Sequence, residues 1–147
     1  EISMRKGLIL IIVVFLTIGI FFTLVFLKIP LGEPRLGTEF YPPPPWQVRP
    51  GDSLEISIGI ANDAWLLAWA KNIYVTVSMP EGFTSPRTGT NECELNFFTL
   101  HGGDGLGGGL TILVSNNVKL GNYTITVKVS GENIPERTFT PKVMVVP

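Results

Sequence analysis

From Gly7 to Leu27 the chain runs for 21 residues without a charged side chain. At about 1.5 Å per helical residue such a run reaches roughly 31 Å, the thickness of a bilayer's hydrocarbon core. Only a helix satisfies its own backbone in that setting. Arg5 and Lys6 precede the run, Lys28 follows it, and Pro30 cannot continue the hydrogen-bond ladder. The reading is one long N-terminal transmembrane or assembly α-helix over residues 1–29. The paired cations favour an N-terminus on the cytoplasmic side. The expected location is the cell membrane, single-pass with the remaining domain extracellular, or an extracellular filament if the helices pack together. A cleaved secretory signal fits less well, because its apolar region is shorter and ends at a small-residue site.

Residues 30–46 are punctuated by Pro30, Pro34, Pro42 to Pro45 and read as a stiff, proline-rich stalk. Beyond Trp46 the pattern changes to alternation, the mark of strands with one buried face. Leu54, Ile56, Ile58 and Ile60 fall on one face, as do Ile73, Val75, Val77 and Met79. Leu110, Ile112 and Val114 alternate, followed by Tyr123, Ile125, Val127 and Val129, then Val143 and Val145. Thr38 to Tyr41 and Glu94 to Leu100 are fainter candidates. Turn residues fall between these runs at Pro50-Gly51-Asp52, Pro80-Glu81-Gly82, Leu120-Gly121-Asn122 and Gly131-Glu132-Asn133. About seven short strands spaced this way predict an all-β immunoglobulin-like sandwich over residues 47–147.

Three stretches carry a family resemblance over residues 46 to 147. They are Val48-Arg49-Pro50-Gly51-Asp52-Ser53, Lys71 to Val77 running on to Met79-Pro80-Glu81-Gly82-Phe83, and Leu120-Gly121-Asn122-Tyr123-Thr124-Ile125-Thr126-Val127. In this order they resemble the NPCBM-associated and CARDB-like immunoglobulin-type domains of bacterial and archaeal surface proteins. That resemblance implies a spacer, adhesion module or assembly unit rather than a catalyst. At the front, Met4-Arg5-Lys6-Gly7-Leu8 before an apolar run resembles the start of a type IV prepilin, with Ile12 standing where the bacterial pattern has glutamate. Tyr123, at the start of a late strand, is placed to bury its ring and return its hydroxyl to the backbone.

The solvated part of the chain is acidic: from residue 31 onward there are eight Lys or Arg and eleven Asp or Glu. No basic face for nucleic acid follows. Cys93 is the single cysteine and reads as a small buried residue. His101 is the single histidine, so no histidine-based metal cluster or triad can be built within the chain. The glycine-rich stretch from His101 to Gly109 lacks the Lys-Ser/Thr of a phosphate cradle and reads as a flexible hairpin connection. Asp52, Asp63, Glu81, Glu92, Glu94 and Asp104 follow no calcium-loop spacing. No cofactor, metal or catalytic residue is assigned. Asn122-Tyr123-Thr124 is an N-glycosylation sequon, making Asn122 a candidate modification site.

The stretch Ala64-Trp65-Leu66-Leu67-Ala68-Trp69-Ala70 is out of place on a solvated loop. It is read either as part of the core or as a contact for a partner or lipid surface through Trp65, Leu66, Leu67 and Trp69. Two roles fit. The first is a non-catalytic, pilin-like filament subunit with its helix in the core and its sandwich outside, Glu1, Arg5, Lys6 and Gly19 serving helix assembly. The second is a single-pass, membrane-anchored binding or scaffold module. The expected partners are copies of the chain itself, other membrane or cell-surface proteins, and the lipid bilayer, but not nucleic acid.

Overall fold

The computed structural model describes residues 2–26, 32–65 and 68–147. Among the described residues one helix, α1 (Ile2–Phe26), precedes eleven strands: β1 (Leu36–Tyr41), β2 (Trp46–Val48), β3 (Ser53–Asn62), β4 (Ala70–Ser78), β5 (Phe83–Thr84), β6 (Glu92–Leu100), β7 (Gly105–Val114), β8 (Gly121–Thr124), β9 (Thr126–Gly131), β10 (Ile134–Phe139) and β11 (Lys142–Val145). They form three sheets with strand orders β1-β3-β7-β5, β10-β9-β4-β6 and β2-β11-β8, here sheets 1, 2 and 3.

Sheets 1 and 2 make a sandwich because each strand alternates apolar and polar residues and can bury only one face. Ile58, Ile60 and Ile112 of sheet 1 share one sealed core with Val75, Val77, Val127 and Val129 of sheet 2. At Gly108 a Cβ would come within 3.2 Å of Phe97, so the two sheets approach closely there. The Arg137 guanidinium donates to the Leu36 carbonyl at 2.8 Å, tying the outer strand of sheet 2 to that of sheet 1.

Ile125 interrupts one long run: the chain leaves sheet 3 as β8 and enters sheet 2 as β9, and the buried Ile125 donates its N–H to the Pro141 carbonyl at 3.0 Å. Just before this corner the Tyr123 ring lies 5.1 Å from that of Phe83, and its hydroxyl donates to the Lys119 carbonyl at 2.8 Å. The hydroxyl bond is the one expected from the sequence and pins the entry to β8, whereas the corner itself divides what the sequence reads as one strand from Tyr123 to Val129. Tyr123→Phe keeps the ring and deletes the bond, so thermal unfolding should register a loss of about 1 kcal/mol. An unchanged midpoint would show that water replaces the bond without penalty.

Three strands are absent from the sequence reading. β10 reads Ile-Pro-Glu-Arg-Thr-Phe, which does not alternate. It lies at the edge of sheet 2, where Pro135 is tolerated, and its register with β9 shifts between Ile134 and Arg137. β2 and β5 are too short to show a period. The glycine-rich stretch is also corrected, since only residues 101–104 form a turn. Gly105 to Gly109 are the first half of β7, paired with Ala61 to Ser57 of β3. Each glycine weakens a strand by about 0.5–1 kcal/mol relative to alanine, and here continuous pairing offsets that. Residues 36–41, which lie in the segment read as a proline-rich stalk and take in the fainter strand candidate Thr38 to Tyr41, are β1 of sheet 1. Farther along that segment, the Trp46 indole donates to the Pro42 carbonyl at 2.7 Å.

The transmembrane reading is overturned. Among the described residues no helix is long and apolar enough to cross a membrane. The described side chains of α1 form an unbroken uncharged run over residues 9–24, about 24 Å at 1.5 Å per residue, against roughly 30 Å of hydrocarbon. The fold class is therefore a β-sandwich behind a helix that does not qualify as a span, and single-pass anchoring with an extracellular domain is withdrawn with it.

Candidate functional site

The tryptophan segment sits at the end of the sandwich where β1 begins and β3 ends, with Leu36 opposite Asn62. Asn62 is fully buried and organises this end. Its Oδ1 accepts from the N–H groups of Arg35 (3.1 Å) and Ala64 (3.3 Å). Its Nδ2 donates to the carbonyls of Ala68 (2.6 Å) and Leu100 (3.2 Å). One side chain thus joins the incoming chain, the tryptophan segment and the end of β6. Two of its neighbours in the segment have opposite fates. Trp69 is buried, its ring 4.6 Å from that of His101 and its carbonyl accepting from the Asn133 amide at 2.7 Å. Trp65 is 57% exposed, and its carbonyl accepts the Ala68 N–H at 2.9 Å. Leu66 and Leu67 lie outside the described residues.

Gly102 makes room for the Trp65 carbonyl. A Cβ there would fall inside the Trp65 carbonyl, so residue 102 must be glycine while the segment keeps its course. The adjoining turn is held by Asp104, whose carboxylate accepts the His101 N–H at 3.1 Å and stands 3.2 Å from the His101 ring nitrogen, both side chains about half exposed.

Of the residues assigned to helix assembly, Glu1 lies outside the described residues, and Arg5 and Lys6 fall within α1. Gly19 is exposed, with nothing within 4 Å of where a Cβ would be. It leaves a gap in one row of the helix surface, Ile11, Phe15, Thr23, beside a second row, Ile12, Leu16, Ile20, Leu24, and these residues line an apolar groove. The two threonines of the run ask for no outside partner: Thr17 donates to the Val13 carbonyl and Thr23 to that of Gly19, each at 2.8 Å. Asn122 is exposed on β8, opposite Met144 of β11, at the edge of sheet 3. Among the described residues no group of three or more His, Cys, Asp or Glu side chains could hold a metal ion. Cys93 is a buried free thiol.

No family model matches the chain, and no curated protein matches it. Among solved structures it is similar to a family 123 glycoside hydrolase from Clostridium perfringens, at 14% identity and a TM-score of 0.51, over 76% of this chain and 27% of that one. It is similar to the native conformation of E. coli alpha-2-macroglobulin, at 16% identity and a TM-score of 0.54, over 76% of this chain and 7% of that one. It is also similar to AvmM, which catalyses macrocyclization in alchivemycin A biosynthesis, at 10% identity and a TM-score of 0.52, over 76% and 90% of the two chains. What they share with it is the fold. The chain spans about a quarter of the first neighbour and less than a tenth of the second. A sandwich of this kind hosts unrelated functions, so the neighbours' chemistry does not transfer with it.

Two features escape sequence reasoning. Phe98 is 69% exposed and takes a positive φ of 56° where β6 bulges against β4, its N–H held by the Asn96 side chain at 2.8 Å. An exposed phenylalanine in that backbone region is costly and has no sequence signal. The second is the outer face of sheet 1, where Gly37, Gly59, Gly105, Gly107 and Gly109 leave the backbone bare. The alternate spacing of 105, 107 and 109 is the signal that could have found it.

Proposed function

We propose that the chain is a non-catalytic structural subunit that assembles with copies of itself into a filament, α1 packed inside and the sandwich outside. The observation that carries this is the exposure of α1: from Ile9 to Phe22 its apolar side chains are uncovered on every side, Phe15 at 71% and Phe22 at 66% among them. A surface helix keeps a polar face, whereas one that is apolar all round is buried. Each such side chain gains about 1.5–3 kcal/mol on burial. Packing α1 against the same helix from other copies buries most of its surface at once, and the groove at Gly19 lets one helix approach another closely. The non-catalytic part of the reading rests on the scarcity of proton-transfer and nucleophilic residues in the sequence.

The test is sedimentation velocity and negative-stain imaging of the full chain in aqueous buffer. Assembled particles are expected for the wild type. Leu16→Glu with Ile20→Glu should abolish them, because two carboxylates on one row of the helix cannot be buried unpaired. A wild-type chain that stays monomeric at all concentrations would rule the reading out.

A further inference from the structure

We propose that the outer face of sheet 1 is the surface by which each sandwich lies on the α1 helix of a neighbouring copy. This rests on the assembly reading above and names the second contact such an assembly needs, between its helical interior and its shell.

The face is laid out by register. Glu39 of β1, Gly59 of β3 and Gly107 of β7 stand side by side, and the next row is Gly37, Ala61 and Gly105. Together they floor a shallow hollow of about 290 Å³. The fold itself does not call for three of these glycines. A Cβ at Gly109 would meet nothing within 4 Å, at Gly59 only atoms 3.8 Å away, and at Gly107 only one at 3.5 Å, and none of the three has a positive φ. Gly108, on the inner side of the same strand, is the opposite case, hemmed in by Phe97 and Leu95. Glycine weakens a strand, and in strand interiors it marks places where another backbone or a ligand comes close. With the inside of the domain excused, that close approach comes from outside.

Charge identifies the occupant. The four strands of sheet 1 contain Glu39 and Glu55 and no Lys or Arg, and the Asp63 carboxylate lies 3.0 Å from where a Gly37 Cβ would be. The matching element is in the same chain: α1 has Arg5 and Lys6 near its start, no Asp or Glu anywhere from residue 2 to 26, and apolar side chains needing cover. A flat, bare and negative sheet face accepts the ridges of an apolar helix whose leading end is positive.

A charge exchange tests this on the full chain. Glu39→Lys with Glu55→Lys should raise the concentration needed for assembly by roughly tenfold or more, as should Arg5→Glu with Lys6→Glu. Combining all four should bring it back to within about threefold of wild type. In parallel, Gly59→Thr with Gly107→Thr should leave thermal stability at or above the wild-type level while blocking assembly. If wild type assembles, the exchange gives no rescue and the threonine variant assembles normally, this surface is wrong and the assembly reading survives. If wild type does not assemble, both fall. Should the threonine variant lose thermal stability, the charge exchange alone decides.

Discussion

Trp69→Ser is expected to destabilise the sandwich by about 3–5 kcal/mol, while Trp65→Ser, four residues earlier, shifts stability by only about 0.5 kcal/mol. Trp69 is 5% exposed, stacked near His101 at the end of the core, and its backbone carbonyl is taken by Asn133. Serine there leaves a cavity the size of an indole under a segment whose course is already set by Asn62 and Gly102. Trp65 is 57% exposed, so its loss removes far less buried area than the loss of Trp69. For a domain of this size the first change lowers the thermal midpoint by upwards of about 12 °C and the second by a few degrees at most. Separate melting curves for the two variants decide the matter. Equal destabilisation would mean that the exposed ring is as much a part of the core as the buried one. The contrast also assigns roles within the segment: Trp69 anchors it, and Trp65 is the residue it presents. A change in assembly caused by Trp65→Ser alone would then report on a contact and not on folding.

That division could not be read from the sequence. Both tryptophans sit among alanines and leucines with no period, and what separates them is a hydrogen-bonding asparagine and a histidine brought in from elsewhere in the chain. Strands with one buried face were legible for the reason that makes them stable. β3 and β4 alternate because the sheet is wetted on one side, and residues 54 to 60 and 73 to 77 show it directly. β10 was invisible because, at the edge of sheet 2, its middle residues are exposed on both faces and nothing forces a pattern. Gly105 to Gly109 failed differently. Their intrinsic preference is for turns, and only the nine-residue register with β3 holds them extended, a case of tertiary pairing overriding propensity. The helix was evident from its run of apolar residues, but hydrophobic length alone did not decide what covers it. The groove at Gly19 and the bare face of sheet 1 are relations between residues in space; the first left a trace in the lone glycine inside the apolar run, the second in the alternate glycines of β7.

Asn62→Leu is the other change with a large expected effect, about 3–5 kcal/mol, although it keeps the branched heavy-atom shape of the side chain. Asparagine at this position satisfies two donors and two acceptors at once, drawn from three separate parts of the chain. Leucine fills the space but leaves the Ala68 and Leu100 carbonyls and the Arg35 and Ala64 N–H groups without their partner. Those that stay away from water each carry a penalty of about 1–3 kcal/mol. The backbone of Asn62 gives no relief, since its N–H donates to Asp104 and its carbonyl accepts from Gly103 (2.8 and 2.7 Å) whatever the side chain. Asn62→Asp separates polarity from geometry: it keeps the acceptor for Arg35 and Ala64 but turns a carboxylate oxygen toward two carbonyls, so it should be at least as damaging as leucine. Chemical denaturation of both variants, with midpoint and slope read separately, is the measurement. A loss below about 1 kcal/mol in either would mean that the end of the sandwich is held by the strands around Asn62 and that the amide merely occupies the gap between them.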